Sequence, residues 1–89
     1  MAVVWIPPQL RHLTDEAEQV VVQGATLGQL IDGLDDLCPG VKEWLLDEGE
    51  QRIQPGLAVV IDGETSLRGL LAPVRRDSEI HFLPAIGGG

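Results

Sequence analysis

The sequence predicts an α+β domain in which a mixed sheet of four to five strands packs against one main helix. Three observations predict it. Short β-branched runs, "AVVWI", "EQVVV", "LAVVID" and "EIHFLP", are each bounded by proline, glycine or polar residues. One segment, "TLGQLIDGLDDL", carries apolar residues at helical spacing. The order strand, strand, helix, strands lets a hairpin and a crossing helix form two layers.

Ala2 to Ile6 form the first strand, which stops firmly at Pro7-Pro8. The polar stretch Gln9 to Ala17 links it to a second strand over Glu18 to Val22. Gln23-Gly24-Ala25 breaks that strand. Thr26 with Gln29 three residues later fits a capping box. Leu27, Leu30, Ile31, Leu34 and Leu37 then lie on one helical face, and Pro39-Gly40 ends the helix. Gly28 and Gly33 weaken it by roughly 1 kcal/mol each if exposed, or allow close approach to a sheet. Val41 to Leu46 read as a short second helix. "DEGEQRIQPG" reads as a polar loop with a strand starting near Ile53. Leu57 to Asp62 are the strongest strand, and Asp62-Gly63 is a hairpin signal. "ETSLRGLL" gives a short strand running into a turn, and "APVRRDSE" a loop. Glu79 to Pro84 form the last strand, placed beside the first and parallel to it, as a helical crossover permits.

Eighty-nine residues, 44% of them hydrophobic, allow one domain with a modest core. We expect a domain over residues 1–84 and a flexible glycine tail over 85–89. Fourteen acids against six bases leave a net charge of −8. That balance argues against nucleic acid and anionic membranes, and favours a partner with a basic face. No apolar run approaches the ~20 residues of a membrane span, and "MAVVWIPPQL" lacks the features of a secretory signal. The expected location is cytoplasmic. A single cysteine, Cys38, excludes an intramolecular disulfide and any multi-cysteine metal site.

The carboxyl end, "DSEIHFLPAIGGG", resembles that of the MoaD/ThiS family of ubiquitin-like sulfur carriers. Members close with a Gly-Asp-Glu-Val-like turn and strand, a proline-containing segment and Gly-Gly. "LPAIGGG" is most similar to CysO-type and MoaD-type carriers, and "VVIDGE" and "TLGQLIDGL" also match. The resemblance spans the chain in order and spacing, with its specificity in the last dozen residues. It implies a β-grasp fold. There are two departures. Asp77-Ser78 replaces the Gly-Asp turn, which is tolerable because Asp can adopt the left-handed region. Gly87 makes the tail a triplet.

The family chemistry assigns the tail its work. A terminal carboxylate is ionised at neutral pH and is a poor electrophile. The resemblance implies that Gly89 is adenylated and then converted to a thiocarboxylate. It implies a MoeB/ThiF-like adenylating and sulfurtransferase activating enzyme, which uses ATP, and a sulfur-accepting synthase. It implies no cofactor or metal bound to the chain itself, and a monomer or weak complex-forming subunit. From the residues alone, Pro84 to Gly89 reach about 20 Å when extended, at ~3.3 Å each. Glycines leave the carbonyl sterically open.

Period-two alternation puts Ile80 and Phe82 on one face of the last strand, and His81 and Leu83 on the other. The helix stripe needs the first pair, so Leu83 points outward beside Pro84 as a docking residue. Leu70 or Leu71 extends that patch. Gly87, Gly88, Ile86 and Pro84 complete the partner-binding set. Other residues take plainer readings. His12 and His81 lack ligand sets, Cys38 is a semi-buried structural thiol, and Asp35-Asp36 point apart on a helix. Gly24 to Gly28 lack the Lys-Ser/Thr ending of a phosphate loop. Trp44 reads as a core or loop-packing aromatic, and Arg75-Arg76 form a solvated turn or pair with a partner's acids. No nucleophile–base pair is visible, so the chain is expected to be a protein co-substrate or the small subunit of a synthase such as molybdopterin synthase, not an enzyme itself. Three roles remain: sulfur carrier, protein modifier conjugated through Gly89, or non-catalytic interaction module. The acceptor pathway is open between cysteine, molybdopterin, thiamin thiazole and secondary-metabolite sulfur insertion, with the length and the "LPAI" tail leaning away from the shorter thiamin carriers.

Overall fold

Four residues near the amino terminus, three of them apolar aliphatic, form β1 (Ala2–Trp5), whose side chains alternate between core and outer face. The computed structural model describes residues 1–47, 49 and 51–84. Pro7 and Pro8 end the strand as expected, but the following stretch is not a plain polar linker. It folds into a 3-10 helix, Pro8–Leu13, that inserts Leu10 fully into the core. One leucine among polar neighbours gives no periodic signal, so the sequence reading missed it.

β2 (Gln19–Val22) pairs antiparallel with β1. α1 (Leu27–Leu37) begins at Thr26, whose hydroxyl accepts from the Gln29 amide at 3.3 Å. The return bond of the box goes to the neighbouring residue, with Gln29 Oε1 accepting from Ala25 N at 2.7 Å. Leu27, Leu30, Ile31 and Leu34 are buried, but Leu37 is 63% exposed. At 100° per residue Leu37 falls at the rim of the stripe, and Cys38 takes the inward position at the helix end. Gly33 does allow close approach, since a Cβ there would stand 2.7 Å from Val22 Cγ1.

α2 (Val41–Leu45) follows Gly40, which holds φ +104°. β3 (Leu46–Asp47) and β4 (Arg52–Ile53) form a small antiparallel ribbon. β5 (Leu57–Ile61) turns through Asp62 (φ 52°) and Gly63 (φ 85°) into β6 (Glu64–Ser66). Both central residues have positive φ, as a two-residue hairpin turn requires. A second 3-10 turn covers Gly69–Leu71, and β7 (Glu79–Pro84) closes the sheet. Asp77 has no left-handed conformation, because positive φ among described non-glycine residues belongs to Asp15, Glu16 and Asp62. Its turn is closed instead by Ser78 N donating to Arg75 O at 3.1 Å, and Ser78 Oγ accepts from Arg75 N at 2.9 Å.

The sheet order is β2-β1-β7-β5-β6, with β1 and β7 parallel at the centre and the other pairs antiparallel. α1 crosses one face. This is a β-grasp. Ile80, Phe82, Val59, Leu30, Ile31 and Leu34, the core expected from the sequence, lie together in one buried cluster.

Candidate functional site

β7 is the central strand, held on both sides by β1 and β5, and this fixes the position of the chain up to Pro84. Its last pairs are Leu83 with Ala58 and Pro84 with Leu57. Pro84 is therefore the last described residue whose register the sheet sets. Ile86, Gly87, Gly88 and Gly89 lie outside the described residues, as does the whole tail over 85–89.

Alternation along β7 sorts the side chains as expected. Ile80 and Phe82 are buried under α1, while Leu83 is 46% exposed on the opposite face and Pro84 is exposed. That outer face has a feature the sequence reading did not assemble. Trp5 and His81 are cross-strand partners on β1 and β7, and their rings stack at 5.3 Å between centroids and 9° between planes. Trp5 Nε1 also donates to Glu79 Oε1 at 3.1 Å. The two aromatic residues sit at the outward phase of neighbouring parallel strands, so the signal lay in the register. Val60, the partner of His81 on its other side, joins His81, Leu83, Glu79, Asp62 and Gly63 around an open depression of about 520 Å³. An apolar centre with an acidic edge is what a partner with a basic rim would fit.

Leu70 is not brought to this face. It packs, half-buried, against the core beside Gly28, on the helix side of the sheet, while Leu71 is exposed. Trp44, on α2, lines a second open depression of about 420 Å³ with Glu43, Gln54, Pro55, Gly56 and Leu57. Leu57 is the partner of Pro84, so this hollow adjoins the root of the tail.

Asp62 fastens the β5–β6 turn to the start of β7. Its carboxylate accepts from Glu79 N at 2.9 Å and from Ser78 Oγ at 2.7 Å, and Arg75 Nη2 lies 3.4 Å away. The Glu79 amide and then the Ser78 hydroxyl hold its pKa below the ordinary carboxylate value. Arg75 thus pairs within the chain. Burial pushes the Cys38 thiol up, away from the reactive thiolate. Among the described residues no cluster of His, Cys, Asp or Glu could hold a metal ion, and no helix is long and apolar enough to cross a membrane.

A model of the ThiS family matches residues 4–89. Among solved structures, a chain of the Amycolatopsis orientalis BexX/CysO complex is 30% identical with a TM-score of 0.90, and both chains are covered in full, 100% each. Mycobacterium tuberculosis CysO is 26% identical with a TM-score of 0.89, covering 97% of this chain and 100% of its own. The small archaeal modifier protein SAMP1 from Methanosarcina acetivorans, 21% identical, shares the fold with a TM-score of 0.78 over 99% of this chain and 95% of its own. No curated protein sequence matches.

Proposed function

Since the chain belongs to the ThiS family, we propose that it is a sulfur carrier whose Gly89 carboxylate is adenylated and converted to a thiocarboxylate for delivery to a biosynthetic enzyme. The observation that supports this most directly is the family match, which runs through residue 89 and so includes the terminal glycines. The chain itself supplies the acyl group and a docking face and performs no catalysis. An adenylating enzyme of the MoeB/ThiF kind uses ATP to make the acyl-adenylate. Sulfur then attacks the carbonyl carbon, and AMP leaves.

The outer sheet face supports a division of labour. Leu83, beside the Trp5–His81 stack, gives the activating enzyme a fixed apolar anchor at the root of the tail. The residues beyond Pro84 span about 16 Å when extended, enough to carry Gly89 into a recessed nucleotide site. A CysO occurs with BexX in the Amycolatopsis orientalis complex, which supports a partner protein for this chain as well. Cysteine, molybdopterin and secondary-metabolite synthesis are the acceptor classes that fit.

The test is incubation with a MoeB/ThiF-type enzyme from the same genome, ATP and a sulfur donor. One oxygen should be replaced by one sulfur, and fragmentation should place the change on Gly89. Sulfur on Cys38 would point to a persulfide carrier, and lysine adducts without thiocarboxylate would point to a protein modifier.

A further inference from the structure

A carrier that is activated as an acyl donor has a chemical hazard: its own nucleophiles. A neutral amine or a thiolate attacks an acyl-adenylate or thioester at the carbonyl carbon. The C–N or C–S bond forms, AMP or the thiol leaves, and the proton passes to solvent. The chain would then be lost as a self-adduct.

The inventory of such groups here is short. Of the six basic residues, five are arginines and one, Lys42, is a lysine, and there is one cysteine and no tyrosine. A guanidinium stays protonated and is no nucleophile at neutral pH. An acyl-imidazole at His12 or His81 hydrolyses, so two side chains remain that would form lasting adducts, Lys42 and Cys38, and the fold engages or encloses both. Lys42 Nζ lies 2.7 Å from Asp32 Oδ1, one turn-and-loop away on α1. Its backbone is pinned as well, since Asp35 Oδ1 accepts from both Gly40 N and Lys42 N at 3.1 Å. At 2.7 Å the Asp32 carboxylate occupies the side of the amine that an acyl carbon would have to approach. Cys38 is only 8% exposed at the end of α1, inside the apolar core, where the thiolate is disfavoured.

We propose that the two side chains able to take a lasting acyl group are shielded by the fold, Lys42 by its contact with Asp32 and Cys38 by burial. The inference rests on the reading of Gly89 as an activated acyl group. It is tested by supplying the activation chemically, so its failure is distinct from a failure of enzymic thiolation.

The full chain is prepared as a Gly89 thioester by intein cleavage and incubated at mildly alkaline pH. Adducts are mapped by peptide mass. The folded parent should lose its thioester by hydrolysis, with little isopeptide at Lys42 and no exchange onto Cys38. Asp32→Asn should raise the Lys42 adduct about two- to five-fold, the range an exposed ion pair allows. Arg76→Lys, at an exposed position, should introduce a new adduct there. In denaturing urea both Cys38 and Lys42 should be acylated. Equal adduct at Lys42 in parent and Asp32→Asn would overturn the masking by Asp32. A silent Arg76→Lys would overturn the claim that scarcity of lysine protects the chain. Cys38 acylated in the folded protein, or inert in urea, would overturn the masking by burial.

Discussion

The Asp62 carboxylate accepts from the Glu79 amide and the Ser78 hydroxyl, and both bonds favour its ionised form. Its pKa is therefore lower in the folded chain than the ordinary 3.8 of the unfolded one. The sign follows by linkage: the contribution is fully present above the unfolded value and is lost as pH falls through the folded value. Asp62→Asn should be less stable than the parent at neutral pH, and the gap should close in acid. Urea midpoints measured at about pH 7 and about pH 3 check this, and a gap that stays constant would show that the charge is irrelevant. Leu83 is the second decisive residue, and its role is outward. Leu83→Glu should leave the fold intact, because the side chain is 46% exposed, yet weaken binding to the activating enzyme by ten-fold or more. An apolar anchor lost and an unpaired charge brought into a dry contact each cost on the order of 1–3 kcal/mol. Titration of the variant against the enzyme gives the answer, and unchanged affinity would move the docking surface elsewhere.

At the scale of elements, α1 against the sheet sets the stability. Phe82, on the central strand, is buried under the helix, and Phe82→Ala should cost roughly 3–5 kcal/mol. In a domain of this size that lowers the melting temperature by more than about 10 °C. Gly33 and Gly28 offer a finer comparison. Alanine gains about 1 kcal/mol of helix propensity at either place. At Gly33 the new methyl would meet Val22 Cγ1 at 2.7 Å, and overpacking of that kind costs roughly 1–3 kcal/mol, so the clash wins. At Gly28 the nearest atom is Leu70 O at 3.3 Å, which asks for a shift of only a few tenths of an ångström. Gly33→Ala should melt below the parent, and Gly28→Ala near it; the reverse order would show that α1 sits further from β2. These elements also mark what could be read in advance. The α1 stripe and the alternation of β7 were legible because four or more residues repeat one period. The β3–β4 ribbon has two residues a strand, too few for a period. Leu10 stands alone, and the Trp5–His81 stack depends on register between strands some seventy residues apart in sequence. For the same reason Leu83 could be assigned a face from its own strand, whereas Leu70, in a turn, could not.

For the whole molecule, the proposed function turns on the distance from a fixed sheet to the carboxylate of Gly89. The sheet sets position up to Pro84, which pairs with Leu57, and five residues follow. In the proposed function, docking through the outer face fixes the origin of that span on the partner, and the length of the tail then decides where Gly89 arrives. Each residue adds about 3.3 Å, while reacting atoms must come within about 3–3.5 Å. Deleting Gly89, or adding one alanine after it, should therefore abolish adenylation and thiolation, with a fall of at least about a hundred-fold in rate. Binding should be nearly unchanged, because the docking face is untouched. Melting temperature should also stay with the parent, because the altered residue lies beyond the last strand pair. The combination separates a misplaced carboxylate from a damaged fold or a lost interface. A chain extended by one residue that is thiolated at the parent's rate would mean that Gly89 is not the reacting end, and the carrier reading would have to be abandoned.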